Sequence, residues 1–102
     1  MDYQQAERLR ECRWAFCLAL YNAREYGVSE RTLCQISDSM RYSLSAAEVR
    51  EQVRYLAELK YCRVEQLPDG TIHAVRCTTL SDLVEYNADA PASIARPAQK
   101  YW

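Results

Sequence analysis

Cysteine and histidine are the residues of this chain that are best suited to nucleophilic or metal-binding chemistry. There is one histidine, His73, and there are five cysteines, at positions 12, 17, 34, 62 and 77. No two cysteines form a C-x-x-C pair, and an odd number cannot all form disulfides. We therefore expect reduced thiols that pack as small hydrophobic groups rather than bind zinc. His73 has no neighbouring ligands in the sequence, and we expect it on the surface.

The sequence also lacks the patterns that catalysis requires. Its two isolated glycines cannot form a phosphate-binding loop, and neither an H-E-x-x-H pattern nor a nucleophile with a paired base occurs. We therefore predict that the protein is not an enzyme and that it needs neither a metal nor a cofactor.

Arginine is the third residue type that could carry a function, because a guanidinium holds a phosphate or a base edge through parallel hydrogen bonds. In the stretch SLSAAEVREQVRYLAELKY, residues 43–61, Arg50 and Arg54 lie on the polar face of a predicted helix. Glu51 and Glu58 stand at spacings that allow ion pairs with Arg54. The chain has 13 basic and 14 acidic residues, so any binding to nucleic acid must depend on a local cluster of charge.

Length and composition indicate one folded domain. The chain has 102 residues, 49% of them hydrophobic and 26% charged, with two glycines and three prolines, which is typical of a globular, mainly helical protein with one core. The N-terminal MDYQQAERLRECR lacks the pattern of a secretory signal. The longest apolar run, WAFCLALY, is far shorter than the roughly 20 residues that span a bilayer. We expect a cytoplasmic protein that makes no membrane contact.

The hydrophobic pattern predicts two helices in the first 40 residues. The first covers residues 3–26 and should end at Gly27, which we expect in the left-handed conformation that suits glycine. The second is predicted at about 30–40, with Ser29 as its N-cap.

A third helix is predicted at about 45–60. Ser45 and Glu48 form an S-x-x-E capping box at its start. The connection from the second helix is about four residues long, which is typical of a helix-turn-helix.

The segment YCRVEQLPDGTIHAVRC predicts a β-hairpin, for which two registers are open. A two-residue loop would pair Cys62 with Cys77. A type I turn followed by a bulge would instead set Glu65 opposite His73. We favour the bulged turn, because Pro68 suits the first central position of a type I turn.

The chain after the hairpin is predicted to contain a short helix and a tail. Thr79 and Asp82 form a second capping box, and the helix should end near Tyr86. We therefore divide the chain into a domain at 1–86 and an extended Ala/Pro-rich tail at 87–102. The large apolar residues of the tail are Ile94, Tyr101 and Trp102.

The order of helix, helix, helix, hairpin and helix resembles that of the winged helix-turn-helix superfamily of DNA-binding proteins. The resemblance covers residues 3–86. It is clearest in LAELKYCRVEQLPDGTIHAVRCTTLSDLVEY, which looks like the end of a recognition helix, the hairpin called the wing and the start of the next helix. The tail DAPASIARPAQKYW is similar to that of small winged-helix proteins of Mu-like prophages. The resemblance implies an α+β, mainly α, winged helix-turn-helix fold and a DNA-binding regulator of transcription.

Two features depart from the usual pattern of that superfamily. Lys60 and Ser81 stand at the junction of the third helix with the wing and just after the wing, where many members have glycine. The tip of the predicted wing carries Asp69 and no nearby basic residue, whereas wings that hold DNA are usually basic. These departures bear more on DNA binding than on the fold.

The resemblance also implies which residues would contact double-stranded DNA. The N-terminal turn of the third helix would enter the major groove, where Ala46 and Ala47 permit close approach. Arg50 would then reach base edges. Contacts with phosphates and further hydrogen bonds would come from Arg31, Arg41, Tyr42, Ser43 and Arg54.

The alternative is a winged-helix module that associates with proteins and does not bind DNA. Its contact surfaces would be the neutral third helix, the aromatic end of the tail, or the wing tip. Leu67 and Ile72 near that tip are either an exposed apolar contact or buried against the tail or a subunit. Internal ion pairs would then neutralise the arginines. A homodimer is a further hypothesis, formed through the long first helix or by exchange of the tail between protomers.

Overall fold

The computed structural model of the chain describes residues 3–99. Within this range, α-helices and a three-stranded antiparallel sheet form an α+β arrangement that is mainly helical. Tyr101 and Trp102, the predicted aromatic end of the tail, lie outside the described residues.

The sheet is formed by strands that are distant in sequence. The elements are α1 (Tyr3–Ala23), a 3₁₀ turn (Arg24–Tyr26), β1 (Val28–Ser29), α2 (Glu30–Ser39), α3 (Ala46–Glu58), β2 (Cys62–Gln66), β3 (Ile72–Arg76) and α4 (Thr78–Val84). β3 lies between β1 and β2 and is antiparallel to both. The predicted hairpin is therefore joined by a third strand, β1, which was not predicted because two residues are too few to show an alternating pattern.

The end of α1 differs from the prediction. The helix stops at Ala23, and Arg24 takes the positive φ, 54°, that we expected at Gly27. Gly27 instead combines a φ of 75° with a ψ of -177°, a conformation that is essentially restricted to glycine. A side chain would also collide with β3, since a Cβ at this position would lie 2.5 Å from both the carbonyl oxygen of Ala74 and Nε2 of His73. Glycine is needed here for a close backbone approach rather than for a helix cap.

The predicted starts of α2 and α3 are confirmed. The Ser29 hydroxyl accepts a hydrogen bond from the backbone N–H of Thr32 at 3.2 Å. At α3, the hydroxyl of Ser45 accepts from the N–H of Glu48 at 3.1 Å, and the Glu48 carboxylate accepts from the N–H of Ser45 at 3.0 Å. Each cap supplies partners for amide groups that the first turn of a helix leaves unsatisfied.

The favoured register of the hairpin is confirmed. Glu65 lies opposite His73 in the β2–β3 ladder. The turn is closed by hydrogen bonds from the N–H of Gly70 to the carbonyl of Leu67 at 2.9 Å and from the N–H of Leu67 to the carbonyl of Thr71 at 2.8 Å. The φ of Gly70 is 89°, as the bulge after a type I turn requires.

The capping box predicted for α4 is wrong. The helix starts two residues earlier than expected, at Thr78, and its N-cap is Cys77, which makes no side-chain cap bond. The Thr79 hydroxyl instead donates to the carbonyl oxygen of Lys60 at 2.6 Å. Thr79 therefore satisfies a carbonyl just beyond the end of α3 rather than the start of its own helix.

The tail returns to the first helix. Ile94 is 2% exposed and belongs to the hydrophobic core. The Nε of Arg10 donates to the carbonyl of Ala92 at 2.7 Å, and the N–H of Ala95 donates to the carbonyl of Arg10 at 3.1 Å. These contacts attach residues 92–95 to α1, and the domain boundary after residue 86 stays a sequence prediction.

Three of the five thiols are part of the core. Cys12, Cys17 and Cys62 are buried, and all five cysteines of the chain are free. Burial raises the pKa of Cys12 to about 11 and the pKa values of Cys17 and Cys62 to about 12. These thiols therefore stay protonated at neutral pH and are poor nucleophiles.

Gly27→Ala is expected to lower the free energy of unfolding by more than about 2 kcal/mol, because the methyl group adds a collision with β3 to the strain of a positive φ. Gly70→Ala is the matched control, since its φ is also positive but no atom lies within 4 Å of the added Cβ. We expect Gly70→Ala to lower the free energy of unfolding by only about 1 kcal/mol. Urea denaturation of both variants measures the difference, and equal losses would contradict the close approach of residue 27 to β3.

Candidate nucleic-acid interface

α3 has a buried face and an exposed face. Val49, Val53 and Leu56 are fully buried in the core. Ala46 and Ala47, in the first turn, are exposed. Small side chains therefore occupy part of the surface at the start of the helix, beside the partly exposed Glu48.

Arg50 is held by a carboxylate of the neighbouring helix. Its Nε and Nη2 donate to the two carboxylate oxygens of Glu30 at 2.5 and 3.1 Å. Glu30 is the first residue of α2, is 6% exposed, and also accepts from the backbone N–H of Ile72 at 3.3 Å. One carboxylate thus connects the starts of α2 and β3 to α3.

The charges of this pair stabilise each other. The hydrogen bonds from Arg50 hold the pKa of Glu30 below its ordinary value, and those to Glu30 raise the pKa of Arg50. This pair was not predicted, because its members are 20 positions apart. The base contact predicted for Arg50 stays a prediction, and it would require Arg50 to leave Glu30.

Three other arginines of the predicted site have no such partner. Arg31, Arg41 and Arg54 are exposed, and none makes an ion pair or a side-chain hydrogen bond with another residue in the range 3–99. The ion pairs that the spacing allows between Arg54 and Glu51 or Glu58 do not form. These three guanidinium groups keep their full hydrogen-bonding capacity for an anionic partner.

Tyr42 and Ser43 lie in the connection between α2 and α3. They differ in how readily their hydroxyl groups could contact a partner. The Tyr42 hydroxyl donates to the carboxylate of Glu11 on α1, and this hydrogen bond raises the pKa of Tyr42. Ser43 is exposed and has a positive φ of 47°. Tyr42 therefore fixes the connection to α1, and Ser43 is the more accessible of the two.

A cleft between α3 and β2 brings further residues to the predicted site. Its volume is about 550 Å³, and it is lined by Arg54, Ala57, Glu58, Lys60, Val64 and Gln66. Lys60 is exposed and adopts a φ of 71°, which explains why glycine would suit this position. Lys60 was not among the predicted site residues, and it lies in the same cleft as Arg54.

Arg13 connects α1 to α3 and to the tail. Its Nε donates to Oε1 of Gln52 at 2.8 Å, and its Nη1 donates to the carbonyl of Ser93 at 3.0 Å. The guanidinium also lies over the ring of Tyr55, 4.5 Å from the centroid, where a cation is attracted to the π-system. The contact between Arg13 and Gln52 was not predicted, since these residues are 39 positions apart.

The tip of the hairpin is closed by its own acidic residue. The carboxylate of Asp69 accepts from the backbone N–H and the hydroxyl of Thr71, at 3.0 and 2.6 Å. These hydrogen bonds lower the pKa of Asp69. Ile72 is 1% exposed, so of the two alternatives for this residue, an exposed apolar contact and burial, the structure shows burial.

We predicted that His73 lies on the surface, and the structure shows it only partly exposed. Its Nε2 is 2.9 Å from the carbonyl oxygen of Tyr26, to which it donates in the corresponding tautomer.

Residues 3–99 contain no group of three or more side chains that could hold a metal ion. In the same range, no helix is both long enough and apolar enough to cross a bilayer.

No model of a known protein family matches the chain, and neither a curated protein nor a solved structure shows significant similarity to it.

Glu30→Gln is expected to lower the free energy of unfolding by about 1–3 kcal/mol at neutral pH, because the amide lacks the charge that holds Arg50. The pKa of Glu30 is lowered from 4.5 in the folded protein. Its stabilisation is therefore fully present above the unfolded-state pKa and is lost as the pH falls through the lower, folded-state pKa.

Urea denaturation at neutral pH and in steps through the acidic range tests this expectation. The difference between the wild type and Glu30→Gln should narrow on acidification. Glu51→Gln, at an exposed position without an ion pair to residues 3–99, is the matched control and should change stability little. A difference that stays constant from neutral to strongly acidic pH would argue against the role of the charge.

Proposed function

We propose that this protein is a winged helix-turn-helix domain that binds duplex DNA and regulates transcription. α2 and α3 form the helix-turn-helix, α3 is the recognition helix, and the β2–β3 hairpin is the wing. The order of helices and strands, the central position of β3 and the capped start of α3 support this proposal.

The observation that carries the proposal is the set of free guanidinium groups on α3 and at the two ends of α2. Arg31, Arg41 and Arg54 are exposed and make no ion pair or side-chain hydrogen bond with other residues of 3–99. Phosphate oxygens along a DNA backbone would satisfy them, and lysine or arginine contacts of this kind determine how a protein is positioned on the duplex.

The first turn of α3 would supply the approach to the base edges. Ala46 and Ala47 leave the backbone of this turn accessible to the floor of the major groove. In this proposal Arg50 positions α3 against α2 through Glu30, and Arg54 becomes the main cation of the helix. Lys60 in the neighbouring cleft adds a second positive charge on the side of the wing.

Fluorescence anisotropy of a labelled random duplex, titrated at several salt concentrations, tests the proposal. We expect the wild type to bind at low salt and to weaken steeply as salt is added. Arg54→Ala should raise the dissociation constant several-fold and reduce the slope of log K against log salt by about one, since one phosphate contact is lost.

Arg24→Ala is the matched control for this experiment. Arg24 is also exposed and lacks an ion pair to residues 3–99, but it lies after α1, in a cleft with Tyr21 and Arg76. Its removal should leave binding unchanged. An equal loss in both variants would mean that binding depends on overall charge, and an absence of binding at low salt would overturn the DNA-binding proposal.

The second candidate function is protein association by the same domain. It is favoured by the Arg50–Glu30 pair, which neutralises one arginine, and by the acidic Glu51 and Glu58 on the exposed face of α3. Acidic groups at these positions would repel phosphate.

A further inference from the structure

The outer edge of β2 has no partner in the sheet. β2 pairs only with β3, and Leu67 and Thr71 form a hydrogen-bonded pair at the hairpin end. Because hydrogen-bonded and non-hydrogen-bonded pairs alternate in an antiparallel ladder, the N–H and C=O groups of Val64 and Gln66 point away from β3. No hydrogen bond from residues 3–99 reaches them. An unpaired edge of this kind is a template for another strand.

Two devices that protect many edge strands, proline and a bulge, are missing from β2. The strand contains no proline and no bulge, and its five residues pair in continuous register with β3. α3 does not cover the edge, because the cleft of about 550 Å³ between α3 and β2 opens at Val64 and Gln66. Space and unsatisfied hydrogen-bonding groups therefore occur at the same place.

The charges of β2 are complementary to a second copy of the same strand. β2 has the sequence Cys-Arg-Val-Glu-Gln. If two such strands pair antiparallel about Val64, Arg63 of each copy lies opposite Glu65 of the other. Both side chains are exposed, and neither makes an ion pair or a hydrogen bond with another residue of 3–99.

The ladder geometry favours these contacts. In this pairing the outward N–H and C=O groups of Val64 form hydrogen bonds with those of Val64 in the second copy. Arg63 of one copy and Glu65 of the other then form a non-hydrogen-bonded pair, in which facing side chains are closest. Opposite charges at directly facing positions stabilise a sheet, and like charges destabilise it. The two-fold symmetry of the pairing forms each ion pair twice.

We propose that two copies of this chain form a homodimer through the outer edges of β2, paired antiparallel about Val64. The two sheets become one sheet of six strands, in the order β1-β3-β2-β2-β3-β1. This interface differs from the contacts through α1 or the tail that the sequence suggested, and it does not depend on DNA binding.

Charge reversal at β2 tests the proposal, with sedimentation velocity over a range of protein concentrations as the measurement. We expect the wild type to show a concentration-dependent dimer. Arg63→Glu and Glu65→Arg each place like charges in both symmetric pairs, and each should raise the dimer dissociation constant at least about tenfold. The double variant Arg63→Glu/Glu65→Arg restores opposite charges and should restore the dimer.

Two further variants separate this interface from others. Val64→Pro removes an N–H that points away from β3, so it should abolish the dimer and leave the hairpin intact. Arg24→Glu, a reversal of an exposed arginine outside β2, should have no effect. Circular dichroism of each variant checks that the fold is retained.

The outcomes decide the proposal in either direction. Loss of the dimer in both single reversals with recovery in the double variant supports it. A wild type that stays monomeric at the highest concentration overturns it, as does a dimer that is unaffected by the β2 reversals and by Val64→Pro. In the last case the contact lies elsewhere, such as on α1 or on the tail.

Discussion

The buried carboxylate of Glu30 is the contact on which the arrangement of α2, α3 and the sheet depends. A charged group with so little exposure is costly unless all of its oxygens are satisfied. Here two donors come from Arg50 of α3 and a third from the backbone of β3. Because these partners belong to different elements, the carboxylate fixes the distance between the two helices and the angle at which the hairpin leaves them.

This contact also determines which charges remain on the surface. Arg50 is held by Glu30, whereas Arg54, one turn further along α3, is exposed and makes no ion pair within residues 3–99. Arg13 is likewise used internally, by Gln52, Tyr55 and the tail. The surface around α3 therefore carries fewer free positive charges than the sequence suggests. Each free arginine on it would supply a larger share of the attraction to an anion.

Local signals in the sequence predicted the parts of the fold that depend on neighbouring residues. The capping residues Ser29 and Ser45 and the bulged turn after Pro68 were correct, because each depends on bonds within a few positions. β1 and the Arg50–Glu30 pair were not predicted, since both depend on segments that meet only in three dimensions. For the same reason the sequence could suggest which arginines form a site but not which of them are held by other residues.

The return of the tail to α1 has a consequence for the order in which the protein forms during synthesis. Arg10 and Ala92 are 82 positions apart, and Ile94 fills part of the core that α1 encloses. A growing chain cannot close this part of the core until residue 94 has left the ribosome, although α1 emerges well before that residue. The apolar face of α1 is therefore incompletely covered while residues 24–93 are synthesised, which is the period when a chaperone or a second nascent chain would reach it.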